Sequence, residues 1–274
     1  MNADPWLGRQ IAGYRLERCV HASRWARTYL GSGNEPAAVK VYPVDAVASA
    51  RVDREALALA VLDSPYLARC VASGTLNDAA YVATRWIDGN TLRARLGGDV
   101  LPWRDLRPIA LAIGTALHRV HEAGFVHRDV KPSNVMVPRE GPASVLLDFS
   151  HTLPTGAVAA GDVRLTERGW TLGTAAYMAP EQATGSTVDG RVDLYALGAT
   201  LYRCLTGTLP FDASSPARVM EMQITEAVVP PRRRAPAREI SQSVEDLVMW
   251  LLAKSPAARL PSARVFLHTV EAIT

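Results

Sequence analysis

The sequence contains few cysteines and no long hydrophobic run. Its three cysteines, Cys19, Cys70 and Cys204, are odd in number and far apart in the 274-residue chain, so they fit neither a disulfide framework nor a metal site. No apolar stretch approaches the roughly eighteen residues of a membrane-spanning helix. The first residues lack the basic and apolar regions of a secretory signal. We therefore expect a cytoplasmic protein without a membrane segment.

Lysine is also scarce. Of the 30 basic side chains only three are lysines, at positions 40, 131 and 254, and the other 27 are arginines. Such a chain should use lysine mainly where a compact ammonium is needed and a planar guanidinium will not do. Lys40 and Lys131 fall in the motifs described below, whereas Lys254 is predicted to be an ordinary residue on a helix surface.

The charge is nearly balanced, at +3, while 48% of the residues are hydrophobic. That hydrophobic content suffices for a large core and excludes general disorder. The length predicts one domain of two lobes or two small domains. The arginines at 232–234 are interpreted as an exposed connector rather than a nucleic-acid patch, so we expect no nucleic-acid partner.

The densest group of chemically capable side chains lies between residues 127 and 150. Two apolar strands, at 135–137 and 145–147, are separated by a turn and are predicted to form a hairpin. The hairpin brings Asn134 and Asp148 to the same end, where an amide oxygen and a carboxylate are ligands that Mg²⁺ prefers. Asp129 precedes the hairpin on a loop, where its carboxylate can accept a proton from an attacking hydroxyl.

This group resembles the catalytic loop and metal-binding turn of eukaryotic-type (Hanks-type) protein kinases. The matching residues are His127, Arg128, Asp129, Lys131 and Asn134, followed by Asp148, Phe149 and Ser150. Lys131, two residues after the aspartate, resembles the Ser/Thr-specific branch, and the whole chain is most similar to bacterial Ser/Thr kinases. Ser150 is a departure, because the family usually has glycine there.

The resemblance covers residues 14–270 and implies an α+β, bilobal protein kinase fold. A small lobe at about 14–84 would hold an antiparallel sheet with one helix, the family's helix C. A hinge at 85–89 would connect it to a larger, mainly helical lobe at about 90–270. Residues 1–13 are predicted to be a leader with little structure of their own.

Lys40 lies in the strand-like segment 36–42, which resembles the strand that carries the family's ATP-orienting lysine. Glu55 follows fifteen positions later, within the helical pattern of residues 48–62. The resemblance implies that Glu55 pairs with Lys40 and that Lys40 contacts the α and β phosphates of ATP. A solvated helix glutamate is the alternative, because its charged neighbours can form surface pairs.

The hairpin between the strands at 14–20 and 27–30 matches the family least well. In the family its turn is a glycine-rich loop over the ATP phosphates, whose amides must approach phosphate closely. Here the three glycine positions hold His21, Ser23 and Ala26. This hairpin alone would not indicate nucleotide binding.

The resemblance further implies a nucleotide site between the lobes. Thr84 would be a small gatekeeper behind the adenine, with backbone groups of Arg85 and Ile87 meeting its edge. The residues expected to contact the cofactor are Val20, Thr28, Ala38, Lys40, Thr84, Arg85, Ile87 and Met136.

The loop from Asp148 to Glu181 is long enough to indicate a function. It ends in a match to the family's substrate-facing segment and Ala-Pro-Glu motif, so Thr166 and Thr171 are candidate phosphosites that could pair with Arg128. Structural roles are implied for His127, Arg128, Phe149, Glu181, Asp193 and Arg259. In particular, Asp193 would cap amides of the catalytic loop and Arg259 would pair with Glu181.

The resemblance thus implies a Ser/Thr protein kinase that uses ATP and Mg²⁺, with Mn²⁺ as an alternative metal. Its expected partners are ATP and a protein substrate, including the kinase itself, and a homodimer is left open. The alternative is a pseudokinase acting as a nucleotide-binding or scaffold module, because the loop glycines and the Gly at position 150 are replaced. A small-molecule phosphotransferase lacks support, because residues 173–181 suit a peptide-binding platform.

Overall fold

The computed structural model describes residues 4–23, 25–43, 46–141, 144–158 and 172–273. Strands and one long helix occupy the N-terminal part of the chain, and helices dominate the C-terminal part. This arrangement confirms the expected α+β fold with a small antiparallel-sheet lobe and a larger helical lobe. Among the described helices, none combines the length and apolar character that crossing a membrane requires.

The small lobe is built on a six-stranded sheet of antiparallel pairs with the order β1-β2-β3-β4-β6-β5. The strands are β1 (Gln10–Ile11), β2 (Tyr14–Ala22), β3 (Arg27–Ser32), β4 (Ala37–Pro43), β5 (Cys70–Thr75) and β6 (Ala79–Arg85). Helix α1 (Ala46–Val61) connects β4 to β5 and packs on the last two strands.

The two faces of strand β4 have different neighbours. Val39 and Val41 are buried in a cluster on one face together with Tyr29. Because side chains alternate along a strand, Lys40 and Tyr42 lie on the opposite face. Tyr42 joins the main core there, which includes residues of α1 and of the large lobe. The alternation therefore turns Lys40 toward the junction of the two lobes.

The large lobe contains nine described helices and two small sheets. The helices are α2 (Leu92–Leu96), α3 (Trp103–Glu122), α4 (Leu172–Ala175), α5 (Pro180–Ala183), α6 (Arg191–Thr206), α7 (Pro216–Thr225), α8 (Pro231–Arg234), α9 (Gln242–Leu251) and α10 (Ala263–Ala272). The strands are β7 (Gly89–Thr91), β8 (Phe125–Val126), β9 (Val135–Pro138), β10 (Val145–Leu146) and β11 (Leu153–Pro154). Helix α6 is buried along nearly its whole length and packs against α3 and α9, as its apolar sequence predicts.

The hairpin that was expected to carry Asn134 and Asp148 is confirmed. Strands β9 and β10 pair antiparallel, with Val135 opposite Leu146. The Leu147 amide then donates to the Asn134 carbonyl at 2.8 Å. Asn134 and Asp148 therefore flank the same end of the hairpin.

The expectation that residues 1–13 form a leader with little structure is wrong for residues 4–13. Trp6 and Ile11 are buried against the outer face of the sheet, and β1 pairs with β2. Asp4 accepts hydrogen bonds from the Tyr29 hydroxyl at 2.8 and 3.0 Å and pairs with Arg27 at 2.8 Å. A buried Trp and a bonded Asp stabilise this short segment, which has no helical or strand periodicity of its own.

One strand boundary also differs from the expectation. The sequence pattern predicts a strand at 67–72, followed by a turn at Ser73 and Gly74, but the strand is observed as β5 (Cys70–Thr75). Leu67 instead forms a bridge with Leu146, and the Ala68 amide donates to the Leu146 carbonyl at 3.0 Å. The beginning of the predicted strand thus bonds to the β9–β10 hairpin, and pairing with β6 starts only afterwards.

Candidate active site

Lys40 connects three elements of the fold. Its ammonium donates to Asp148 Oδ1 at 2.5 Å and lies 3.5 Å from Glu55 Oε2. Lys40 is on β4, Glu55 on α1 and Asp148 directly after the β9–β10 hairpin. Glu55 is only 3% exposed, so the solvated helix glutamate considered above is excluded. The structure therefore brings together three polar side chains from both lobes.

The charges in this cluster stabilise one another. Burial alone would lower the pKa of Lys40, but the carboxylates of Asp148 and Glu55 outweigh it and raise that pKa well above its ordinary value. Burial likewise opposes ionisation of Asp148, yet Lys40 holds the pKa of Asp148 far below its usual range. Burial raises the pKa of Glu55 despite the neighbouring ammonium. Lys40 and Asp148 are thus both charged at neutral pH.

Tyr42 is a member of this cluster that the sequence reasoning missed. Its hydroxyl donates to Glu55 Oε2 at 2.7 Å, and the residue is 1% exposed. Tyr42 lies two residues after Lys40 on the same strand, so strand periodicity alone places both side chains on one face. That spacing could have indicated the contact.

Asp129 is the centre of a second cluster. The Lys131 ammonium donates to both Asp129 carboxylate oxygens at 2.7 Å and to the Thr174 hydroxyl at 3.1 Å. The Asn134 amide donates to Asp129 Oδ2 at 2.8 Å and to the Asp129 carbonyl at 2.9 Å. Although burial opposes ionisation, Lys131 and then His151 lower the pKa of Asp129. A buried, ionised carboxylate therefore lies close to helix α4, which carries Thr174.

Asp193 holds the backbone of this loop. Its carboxylate accepts the amides of His127 at 2.8 Å and Arg128 at 2.7 Å, and His121 Nε2 lies 2.8 Å away. Burial raises the pKa of Asp193, but the His121 contact and these amides outweigh it and lower that pKa overall. Arg128 has a positive φ of 68°, a conformation unusual for a non-glycine residue. The two amide bonds help to hold it there.

His127 and Phe149 connect the two clusters. Their rings make an edge-to-face contact with centroids 4.8 Å apart. The Asp129 amide donates to His127 Nδ1 at 3.3 Å, which leaves the Nε2 proton for the Leu147 carbonyl at 3.0 Å. Phe149 is fully buried. Packing and hydrogen bonds thus fix Asp129 relative to Asp148.

Three of the residues predicted to contact the nucleotide, Thr28, Ala38 and Thr84, share one face of the small-lobe sheet with Lys40. Cross-strand pairing places Thr28 opposite Lys40 and Ala38 opposite Thr84. Directly paired residues share a face, and so do Ala38 and Lys40 two positions apart. Val20 lies on β2, Met136 on β9, and Arg85 and Ile87 at the end of β6 and just beyond.

The turn that lacks glycines is closed by Ser23. The Ser23 hydroxyl accepts the amides of Trp25 at 3.2 Å and Ala26 at 3.1 Å, and it donates to the Ala26 carbonyl at 3.0 Å. In the family such amides cover phosphates, whereas here a side chain within the loop engages them. His21, at the first glycine position, is exposed.

The oxygens of Asn134 and Asp148 suit a divalent cation. Asn134 uses its amide nitrogen for Asp129, so its amide oxygen is left for another partner. Within the described residues, the hydrogen bonds to the Asp148 side chain all fall on Oδ1. Two hard oxygen ligands completed by phosphate and water fit the coordination habit of Mg²⁺. No cluster of three or more His, Cys, Asp or Glu side chains suited to a metal occurs in the described part of the chain.

Glu181 and Arg259 form a bidentate ion pair below the segment that contains Thr174. The two guanidinium nitrogens lie 2.6 and 2.7 Å from the carboxylate oxygens, and the arginine side chain is fully buried. Arg259 also donates to the carbonyls of Ala253, Arg191 and Lys254. A bidentate pair with these extra bonds fixes the end of the segment firmly.

Gln223 supports the same segment and was not found from the sequence. It is fully buried on α7, accepts the Tyr195 hydroxyl, and donates to the carbonyls of Ala176 at 3.0 Å and Ala175 at 3.4 Å. A single glutamine in an otherwise ordinary amphipathic helix carries no pattern that would single it out.

The expectation for Lys254 is wrong. It lies beyond the end of α9, and its ammonium donates to the carbonyls of Met222 at 3.2 Å and Gln223 at 2.7 Å. It also lies 4.1 Å from the centroid of the Phe211 ring. All three lysines of the chain thus make specific contacts, as the scarcity of lysine suggests.

The candidate phosphosites Thr166 and Thr171 lie outside the described residues.

Comparison with known proteins adds an independent result. A family model described as "Protein kinase domain" matches residues 26–270, beginning at Ala26, the last of the three positions where the turn lacks glycine. The serine/threonine-protein kinase pkn3 of Myxococcus xanthus is 34% identical over 286 residues, covering 99% of this chain and 52% of the relative. PknD of Mycobacterium tuberculosis and PknB of Mycolicibacterium smegmatis are each 34% identical, covering 96% and 93% of this chain and 40% of each relative. The chain therefore spans about half or less of the length of these relatives.

Proposed function

Since the chain belongs to the protein kinase domain family, we propose that it is a Ser/Thr protein kinase. It transfers the γ-phosphoryl group of ATP to serine or threonine hydroxyls of a protein, including its own. One observation carries the proposal: Lys40 contacts both Glu55 and Asp148, although Lys40 and Asp148 are 108 positions apart. A cation and a carboxylate that meet between the two lobes are typical of a site that binds a charged ligand.

Asp129 is proposed as the residue that orients the attacking hydroxyl and accepts its proton. Its lowered pKa, due to Lys131 and His151 in spite of burial, keeps it ionised at neutral pH. Lys131 is proposed to balance the charge of the transferred group. Its contact with Thr174 supports this role, because it joins Asp129 to the segment proposed to bind the acceptor peptide. Catalysis then rests on positioning and on charge placed in advance.

Lys40 is proposed to contact the α and β phosphates, with Glu55 and Tyr42 holding its position. Asn134 and Asp148 would hold Mg²⁺ or Mn²⁺, which supplies charge neutralisation for the phosphates when bound. Thr28, Ala38 and Thr84 would line the nucleotide site. Val20, Arg85, Ile87 and Met136 are proposed to complete it.

A pseudokinase is the second candidate, favoured by one observation. Ser23 engages the turn amides of Trp25 and Ala26 that would otherwise be available to phosphate. This contact should lower the affinity for ATP, but it leaves Asp129 and Asp148, on which the chemistry depends, in place. Activity with reduced ATP affinity is therefore the preferred proposal.

A cytoplasmic location is also proposed. Cys19, Cys70 and Cys204 are all free thiols, which suits a reducing compartment.

The test is transfer of label from γ-³²P-ATP to the protein itself and to a general acceptor protein. The matched control is Asp129→Asn, which keeps the size of the side chain but removes the base. We expect label on serine and threonine in the wild type and at least a hundredfold less in the variant, consistent with the usual contribution of a general base. Equal labelling of the two proteins would contradict the proposal, as would nucleotide binding without any transfer.

A further inference from the structure

Ser150 replaces the glycine that the family has after Asp148-Phe149, and its side chain is engaged. The Ser150 hydroxyl donates to Asp148 Oδ1 at 2.7 Å, and the Ser150 amide donates to the same oxygen at 3.2 Å. Resting on the proposed function, we infer that Ser150 is a positioning residue: its hydroxyl holds the Asp148 carboxylate in the orientation that binds the divalent cation.

The backbone at this position does not require glycine. Positive φ angles occur at Asp148, with 62°, and not at Ser150. A serine therefore fits without the strain that a positive φ would impose. The unusual conformation belongs to Asp148, whose side chain accepts two hydrogen bonds from Ser150, two positions later in the chain. A glycine there would offer only the amide, so the serine doubles this local restraint.

Within the described residues, the donors to the Asp148 carboxylate converge on one oxygen. Lys40 donates to Oδ1 at 2.5 Å, alongside the hydroxyl and the amide of Ser150. The other oxygen, Oδ2, is thereby left for a cation. When Lys40 is drawn to a nucleotide phosphate, the two Ser150 bonds remain and continue to orient the carboxylate.

The surroundings make this hydroxyl bond stronger than one at the surface. Ser150 is only 5% exposed, and the acceptor is an ionised carboxylate. Hydrogen bonds to charged acceptors in a shielded site are stronger than neutral ones in water. Partners that orient a metal-binding carboxylate commonly change metal affinity by one order of magnitude or more.

The experiment measures binding of Mn²⁺ to the full chain by electron paramagnetic resonance in the presence of ADP, so that no turnover is needed. The variant is Ser150→Ala. The matched control is Thr152→Val, two residues along, because Thr152 is 2% exposed and its hydroxyl has no hydrogen-bond partner within the described part of the chain. Binding of ADP without metal is measured for all three proteins.

We expect Ser150→Ala to bind Mn²⁺ about tenfold more weakly than the wild type. Thr152→Val should match the wild type, and ADP affinity without metal should be the same in all three proteins. Mn²⁺ affinity of Ser150→Ala within twofold of the wild type would overturn the inference. An equal loss of metal-free ADP affinity would also overturn it, because the effect would then be general disruption. If wild-type protein with ADP takes up no Mn²⁺, the proposed function fails, and the inference fails with it.

Discussion

Buried hydroxyl groups refine the geometry of the charged cluster at the scale of single residues. Tyr42 is the example on the small-lobe side, because its hydroxyl occupies the same Glu55 oxygen that faces Lys40. A buried carboxylate with an additional donor is better satisfied and less free to turn away. The position of Lys40 therefore depends on Tyr42 through the Glu55 carboxylate that both residues contact.

Removing this hydroxyl tests its role. We expect Tyr42→Phe to lower kcat/KM for ATP about threefold to tenfold, because one hydrogen bond of roughly 0.7–1.4 kcal/mol is lost from the cluster. Steady-state kinetics with varied ATP measures the effect. Tyr81→Phe on β6 is the control, because no hydrogen bond of the Tyr81 hydroxyl is found within the described residues. Unchanged kinetics of Tyr42→Phe would show that Lys40 and Glu55 position each other without help.

The pKa of Asp193 predicts how the stability of the fold depends on pH. Its folded-state pKa lies below the ordinary value of about 3.9, because its bonds to His121 and to the loop amides outweigh burial. The carboxylate therefore stabilises the fold above pH 4, and that stability is lost as the pH falls through the folded-state pKa.

The matching variant is Asp193→Asn, which cannot ionise. Its free energy of unfolding at pH 7 should be about 2–4 kcal/mol below that of the wild type, since a buried, hydrogen-bonded charge is replaced by a poorer acceptor. The difference should shrink below pH 4. Urea unfolding at pH 7 and at pH 3.5 measures it, and a constant difference across this range would contradict the account.

At the scale of elements, the N-terminal segment behaves as part of the small lobe. Trp6 is 8% exposed and packs on the outer face of the sheet, while the adjacent Leu7 is 46% exposed. We expect Trp6→Ala to lower the free energy of unfolding by about 3 kcal/mol, as large-to-small changes in a core do. Leu7→Ala should change it by less than about 0.5 kcal/mol. If urea titrations give similarly small changes in the free energy of unfolding for both variants, the segment does not stabilise the small lobe and is a leader.

Helix α7 supports the segment that follows the long loop. Gln223 bonds the Ala175 and Ala176 carbonyls, next to Thr174. We expect Gln223→Leu to raise KM for an acceptor protein severalfold while leaving KM for ATP unchanged, because two carbonyls of the platform lose their donor. Gln242→Leu, an exposed glutamine on α9, is the control. A parallel rise in both KM values would indicate disruption of the whole fold instead.

At the scale of the whole molecule, the residues that carry the chemistry could be predicted, and several that position them could not. Lys40, Glu55, Asp129, Asn134 and Asp148 stand in a recognisable order along the chain, and the structure brings them into two adjoining clusters. The two apolar runs and the turn residues between them also predicted the β9–β10 hairpin correctly.

The failures share a physical cause. Trp6, Gln223 and Lys254 are held by partners far away in the sequence, and no local periodicity records such contacts. The shift of β5 has the same origin, because Leu67 and Ala68 bond to a hairpin of the other lobe. Contacts with distant residues therefore set the positions of these side chains and the start of β5, which the local sequence pattern does not determine.

The central claim is that one metal–nucleotide complex binds where Lys40, Asn134 and Asp148 converge. A crystal structure with Mn²⁺ and a non-hydrolysable ATP analogue tests it most directly, with the metal located from its anomalous scattering. The account predicts a manganese peak in contact with the Asn134 and Asp148 side-chain oxygens, at the usual distances of about 2.0–2.3 Å, and the Lys40 ammonium bonded to the α and β phosphates. Nucleotide bound elsewhere, or nucleotide in the cleft with no metal at Asp148, would contradict it.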